Sequence, residues 1–129
     1  MQFEGLLRGH SIMLDDVHED GTPSVGPSPK RLLLLSAAAC TGMDVIPMLN
    51  KMKVPIEGLM ITVKANGTDT HPKVYTDMRI IFEFKGKGLE SFRTQIEHAV
   101  NLSQEKYCGV SAMLSKAMTI EIEIKLVSH

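Results

Sequence analysis

The chain has 129 residues, 43% hydrophobic and 22% charged, which suits one domain with its own core and is too apolar for a disordered segment. Its 14 basic and 15 acidic residues leave a net charge of −1, which excludes a general electrostatic grip on nucleic acid. Trp is absent and aromatics make up 5%, which excludes a base-stacking platform.

Two cysteines do not make a disulfide-dense secreted scaffold. The opening MQFEGLLRGH has no basic stretch leading into a long apolar one. No secretory leader is visible, and a reducing cytoplasm is the expected compartment.

The first 16 residues read as two short strands around the turn Arg8-Gly9-His10, and Asp15 to Pro29 as a polar loop rich in turn residues. Ser28 then offers an N-cap, and Pro29 is preorganised for a first helical turn. The pattern predicts a helix from about Pro29 to Lys51, apolar nearly all round and kinked at Pro47.

The segment Leu32 to Asn50 carries one charge, Asp44, and is nearly long enough to span a bilayer. A central Asp opposes insertion by roughly 2.5–3.5 kcal/mol. Ser36, Thr41, Gly42 and Pro47 weaken the span further. The expectation is a helix buried between layers or subunits, with no membrane span.

Two strands follow. Leu59, Ile61, Val63 and Ala65 share one face of the first. In the second, Val74 to Phe84 alternates strictly between two faces. Asn66 to Lys73 connects them as an open antiparallel return. After Gly86 and Gly88, Leu89, Phe92, Ile96, Ala99 and Val100 form the buried stripe of a second helix.

A break near Tyr107-Cys108-Gly109 precedes a short third helix, with Val110, Met113, Leu114 and Ala117 on one face. Met118, Ile120, Ile122, Ile124 and Leu126 then alternate with polar residues in the clearest strand of the chain. The order β-β-α-β-β-α-α-β predicts an α+β fold in one domain, residues 1–129. Its expected architecture is antiparallel sheets packed on a long central buried helix.

Cys40 and Cys108 are the candidates for chemistry. Small residues, Ala37 to Ala39 and Gly42, leave room beside Cys40, and Cys108 opens a helix whose amides favour a thiolate. Asp44 lies one turn beyond Cys40 and opposes ionisation there. Burial as two small hydrophobes is the competing reading. The five histidines have no paired ligand spacing and neither cysteine has a C-x-x-C partner, so neither a metal nor a cofactor is expected. Nucleotide-binding and serine-hydrolase motifs are absent.

Two segments carry a resemblance. Gly26-Pro-Ser-Pro29 with the apolar run to Ala39-Cys40 and Asp44-Val45-Ile46 is similar to the first helix of OsmC/Ohr-type proteins. Ala99-Val-Asn-Leu-Ser103, Glu105-Lys-Tyr-Cys108 and Val110-Ser111 resemble that family's second cysteine segment. The wording is closer to the uncharacterised OsmC-like branch than to the hydroperoxide reductases.

The resemblance implies an intertwined homodimer with two long helices at its centre and active sites at the subunit interface. It implies a peroxidase acting on organic or lipid hydroperoxides in oxidative stress defence. Cys40 would be the peroxidatic cysteine and Cys108 the resolving one. The resulting disulfide would be reduced by a dithiol, often lipoyl-linked.

The reductases hold an Arg in the N-terminal hairpin turn, which favours the thiolate, and a Glu at the start of the first helix, which orients the Arg. Here Arg8 is the candidate for the former, and Lys30 stands where the Glu is usual. The resemblance makes Arg8 and Lys30 possible thiolate stabilisers, with Asp44, Glu105 and Tyr107 lining the site. The alternative reading is a non-enzymatic dimer that binds an apolar small molecule between its subunits.

Overall fold

The computed structural model describes residues 1–129. It forms two compact units, Met1–Leu35 and Ser36–His129, and the boundary falls within the long first helix.

In the first unit, β1 (Phe3–Leu7) and β2 (His10–Leu14) pair antiparallel as a hairpin. Arg8 and Gly9 form its two-residue turn, both at positive φ, 49° and 84°. That geometry matches the strand twist, but an Arg meets a steric penalty there that a Gly does not.

The loop after β2 is organised by one buried carboxylate. Asp15 accepts from the Val25 amide (3.0 Å), the Asp16 amide (2.8 Å) and His18 Nε2 (2.8 Å). Its own amide donates to the Pro27 carbonyl (3.2 Å). Gly26 packs so closely on Met13 that a Cβ there would collide with the Met13 carbonyl.

The Val25 amide, with His18 and Asp16, holds the Asp15 carboxyl below its ordinary 3.8, at about 2. A depressed folded-state pKa stabilises the fold above the unfolded value, and that contribution is lost as pH falls from about 4 through about 2. Asp15→Asn is therefore expected to be less stable than wild type near neutrality and to lack this acid dependence. Urea unfolding followed by circular dichroism from pH 5 to pH 2 would show it, and parallel pH profiles for the two proteins would contradict it.

Helix α1 runs unbroken from Pro29 to Lys51. The Ser28 carbonyl accepts from the Leu32 amide (3.3 Å), which places Ser28 at the N-cap position. Pro47 sits inside the helix and leaves the Met43 carbonyl without its usual donor.

The helix ends in a Schellman arrangement. The Val54 amide donates to the Leu49 carbonyl (3.0 Å) and the Lys53 amide to that of Asn50 (3.1 Å). Lys53 takes the left-handed position at φ 59°, where Gly is usual. Val54 and Leu49, both buried, supply the hydrophobic contact of the motif.

The second unit contains a three-stranded sheet in the order β3-β4-β5, from Ile56–Gly67, Tyr75–Gly86 and Thr119–Ser128. β3 and β4 pair antiparallel as the pattern predicts, with Ile61 opposite Phe82 and Val63 opposite Ile80. β5 departs from the antiparallel expectation, because it joins β4 in parallel. A parallel neighbour needs a long crossover, and the helical segment between the two strands supplies it. That segment comprises a 3₁₀ turn (Leu89–Phe92), α2 (Arg93–Leu102), a π turn (Ser103–Tyr107) and α3 (Gly109–Leu114).

Register places Ile61, Phe82 and Ile124 in one row across the sheet, and Val63, Ile80 and Ile122 in the next. Met78, Ile80, Phe82 and Phe84 of the central strand are buried on this face, with Phe82 and Phe84 stacked at 6.3 Å. Leu89 and Ile96, Ala99 and Val100 of α2 complete the core with Ala37, Ala38, Val45 and Leu49 of α1. At Gly42, α1 approaches β3 so closely that a Cβ would stand 3.1 Å from Ile61 Cδ1. The opposite face of the sheet is charged, with Arg79 3.2 Å from Glu121 and 3.9 Å from Glu123.

Within the single chain one stripe of α1 (Ala37, Ala38, Thr41, Val45, Leu49) is buried, while Leu35 and Met43 are exposed. By length and composition this helix would suffice to cross a membrane, but its buried stripe packs against protein. Along α3 and the turn after it, Met113 and Ala117 of the apolar face are exposed, Val110 and Leu114 are half-buried, and the inward residue is Ser111. The helix is too short to present a whole stripe, and its first turn is turned inward by Cys108.

Candidate functional site

Cys40 and Thr41 lie on the inward side of α1, and Asp44 follows one turn later. Facing them is the junction between α2 and α3. There the helix widens into the π turn Ser103–Tyr107, closed by the Cys108 amide on the Ser103 carbonyl (2.7 Å). Single π turns recur at functional sites because the extra residue re-aims the side chains around it. Here the turn directs Ser103 and Gln104 at α1 and delivers Cys108 to the start of α3.

The result is a compact cluster. The sulfurs of Cys40 and Cys108 and an Asp44 carboxylate oxygen all lie within 4.8 Å of one another. Ser103 Oγ donates to Asp44 Oδ2 (2.9 Å). Gln104 Nε2 donates to Thr41 Oγ1 (2.8 Å), which in turn donates to Cys108 Sγ (3.5 Å). The Ser111 amide reaches the same sulfur (3.4 Å). Ser111 Oγ is also buried beside Cys108.

The two thiols are biased in opposite directions. Burial pushes Cys40 up, with a hydrogen bond to Cys108 and the negative charges of Cys108 and Asp44 acting the same way and the Val110 amide opposing them. Burial also acts to raise Cys108, but donors from Ser111, Thr41 and Cys40 outweigh it, and the net direction is down. Access runs the other way: Cys108 is buried at 2% exposure, and Cys40 is half-buried.

Of the residues singled out in the sequence, Cys40, Cys108 and Asp44 come together. Glu105 and Tyr107 lie exposed on the π turn, while Gln104 before them turns inward. Arg8 sits in the β1–β2 turn and Lys30 on the first turn of α1, both exposed and both within the first unit.

Sequence reasoning missed Thr41, Ser103, Gln104 and Ser111. Ser103 left a signal, because it continues the stripe Ile96, Ala99, Val100 as a polar residue on a buried face. Thr41 left another, as a polar residue beside Cys40 in an apolar helix. Gln104 left none, since only the π turn rotates it inward.

Comparison with known proteins gives a consistent result. A family model described as OsmC-like protein matches residues 19–123. Protein YhfA of Escherichia coli (strain K12) is 29% identical over 120 residues, covering 93% of this chain and 85% of that one. The crystal structure of a hypothetical protein from Aquifex aeolicus VF5 superposes with a TM-score of 0.83 at 26% identity, over 99% of this chain and 89% of that one. The Organic Hydroperoxide Resistance Protein OhrB of Bacillus subtilis shares the fold at a TM-score of 0.58 and 13% identity, over 97% of this chain and 96% of that one.

Proposed function

This chain belongs to the OsmC-like protein family, and we propose that it is a cysteine-based peroxidase that reduces organic or lipid hydroperoxides. Family membership points to a redox- or peroxide-related stress function. The observation that supports the finer reading is the approach of two cysteine sulfurs to within 4.8 Å from segments far apart in sequence. A disulfide needs an S–S distance of about 2.0 Å, which a rotation about each Cα–Cβ bond and a small shift can provide.

Cys40 is the better exposed of the two, so it meets the hydroperoxide first. Its thiolate attacks the distal peroxide oxygen, the O–O bond breaks, and the alcohol leaves after taking up a proton. Cys40 is left as a sulfenic acid. The Cys108 thiolate then attacks that sulfur, the S–S bond forms, and the sulfenic oxygen departs as water. An external dithiol, such as a lipoyl-linked one, restores both thiols by exchange.

The groups around Cys40 oppose its ionisation, so the mechanism needs a cation there. Arg8 or Lys30 of a second copy would supply it in a homodimer, taking over the work of the Arg and Glu of the reductases. Exposed Phe3 (62%), Leu6 (77%) and Met43 (77%) support such a dimer, since single chains seldom leave so much apolar surface in water. The reading places the protein in the cytoplasm, where dithiol reductants are maintained.

The test is consumption of cumene hydroperoxide by the chelator-treated, reduced protein with a dihydrolipoyl dithiol as reductant. Hydrogen peroxide serves as the competing substrate and Cys40→Ser as the control. Turnover that prefers the organic peroxide and vanishes in Cys40→Ser is the expected result. Turnover equal to that of Cys40→Ser would overturn the proposal.

A further inference from the structure

We infer that Cys40, Cys108 and Asp44 form a binding site for a thiophilic divalent cation of the zinc type, occupied when both cysteines are reduced. The three donor atoms already lie within 4.8 Å of one another. Zinc–sulfur bonds of about 2.3 Å and a zinc–oxygen bond of about 2.1 Å in a tetrahedron place those atoms about 3.6–3.8 Å apart. The cluster therefore closes around an ion by about 1 Å or less, within the reach of side-chain rotation.

Donor chemistry selects the ion. Two sulfurs with one carboxylate favour zinc over calcium or magnesium, which prefer all-oxygen cages. Two thiolates and a carboxylate at this spacing would otherwise repel one another, and a divalent cation cancels most of that charge. The site is also supported from behind, as metal sites require. Ser103 Oγ fixes the Asp44 carboxylate (2.9 Å), and the Gln104–Thr41 relay and the Ser111 amide orient the Cys108 sulfur. Three protein ligands leave a fourth tetrahedral position for water.

The binding step involves no oxidation. The cation replaces the two thiol protons, which pass to solvent. Disulfide formation would remove both sulfur ligands, so the cation-bound and oxidised states exclude each other. The sequence conceals this site because its ligands come from α1 and from the start of α3, with none of the short spacings that mark metal motifs.

The experiment titrates the full-length, reduced, chelator-treated protein with Co²⁺ and then displaces it with Zn²⁺. One Co²⁺ per chain is expected, with a near-ultraviolet sulfur-to-cobalt charge-transfer band that Zn²⁺ abolishes. The band should fall by about half in Cys40→Ser and vanish in the Cys40→Ser/Cys108→Ser double variant. Asp44→Asn should keep the band but weaken Zn²⁺ binding by about tenfold or more.

X-ray absorption of the zinc-loaded wild type, which requires no variant, should show two sulfurs and two oxygens. A wild type with no charge-transfer band, a band that persists in the double variant, undiminished Zn²⁺ affinity in Asp44→Asn, or a zinc shell without two sulfurs would each overturn the inference. The peroxidase assay uses metal-free protein, so the two proposals fail independently.

Discussion

Cys108→Ser is expected to permit one oxidation of Cys40 and then stop. The first step does not use the Cys108 sulfur, so a single equivalent of hydroperoxide is still consumed. Without the second thiol the sulfenic acid cannot condense to a disulfide, and further peroxide drives it to the sulfinic acid. Mass spectrometry of the intact protein after excess cumene hydroperoxide should show two added oxygens on the Cys40 peptide, and steady-state turnover should fall to the level of Cys40→Ser. Undiminished multi-turnover activity would remove Cys108 from the mechanism.

The first oxidation should not slow in this variant. The hydrogen bond to Cys108 and its negative charge both push the Cys40 thiol up, and replacing Cys108 by serine removes that charge. The Cys40 thiolate fraction near neutral pH should therefore rise. Alkylation of Cys40 by iodoacetamide is expected to be as fast as in the wild type or faster, and slower alkylation would mean that Cys108 assists ionisation.

Phe82→Ala is expected to give a large loss of stability, about 3–5 kcal/mol. Phe82 lies in the central strand, hydrogen-bonded to neighbours on both sides, with Ile61 and Ile124 across from it and no exposure. The truncation removes most of a large apolar side chain and leaves a cavity that the flanking strands cannot collapse to fill. Against a total of about 5–15 kcal/mol for an ordinary domain, the loss should show as a marked drop in the urea midpoint by circular dichroism. Because α1 rests on the sheet at Ile61 beside Gly42, the surviving folded population should also lose definition between Cys40 and Cys108, read as slower disulfide formation. A cost below about 1 kcal/mol would show that the sheet centre is not the core.

Local physics makes much of this chain legible from its residues alone. Period-two alternation over Val74–Phe84 and Met118–Leu126 marks strands β4 and β5, because a sheet buries every second side chain. Ser28, Pro29 and the apolar run behind them mark α1, whose observed bounds, Pro29–Lys51, are those the pattern predicts. The resemblance around the two cysteines carries the family, and the fold follows with it. Cys40, Cys108 and Asp44 are recognisable from residue type and surroundings alone.

The rest depends on contacts between residues distant in sequence. Whether β5 runs parallel or antiparallel to β4 is invisible in its alternation, since both pairings bury the same face; the helical crossover decides it. The π turn has no marker in Ser-Gln-Glu-Lys-Tyr, because its wider ring is stabilised by what Ser103 and Gln104 meet on α1.

The apolar girth of α1 is plain, but a single chain buries only the stripe from Ala37 to Leu49. By itself the sequence determined the elements, their order and the residues able to do thiol chemistry. Only the tertiary structure brought the two sulfurs within 4.8 Å of each other and of a carboxylate. Burial pushes the Cys40 thiol up and donated hydrogen bonds push Cys108 down; the Ser111 amide acts from three residues away, but the Thr41 donor and the contact between the two sulfurs exist only in the folded chain.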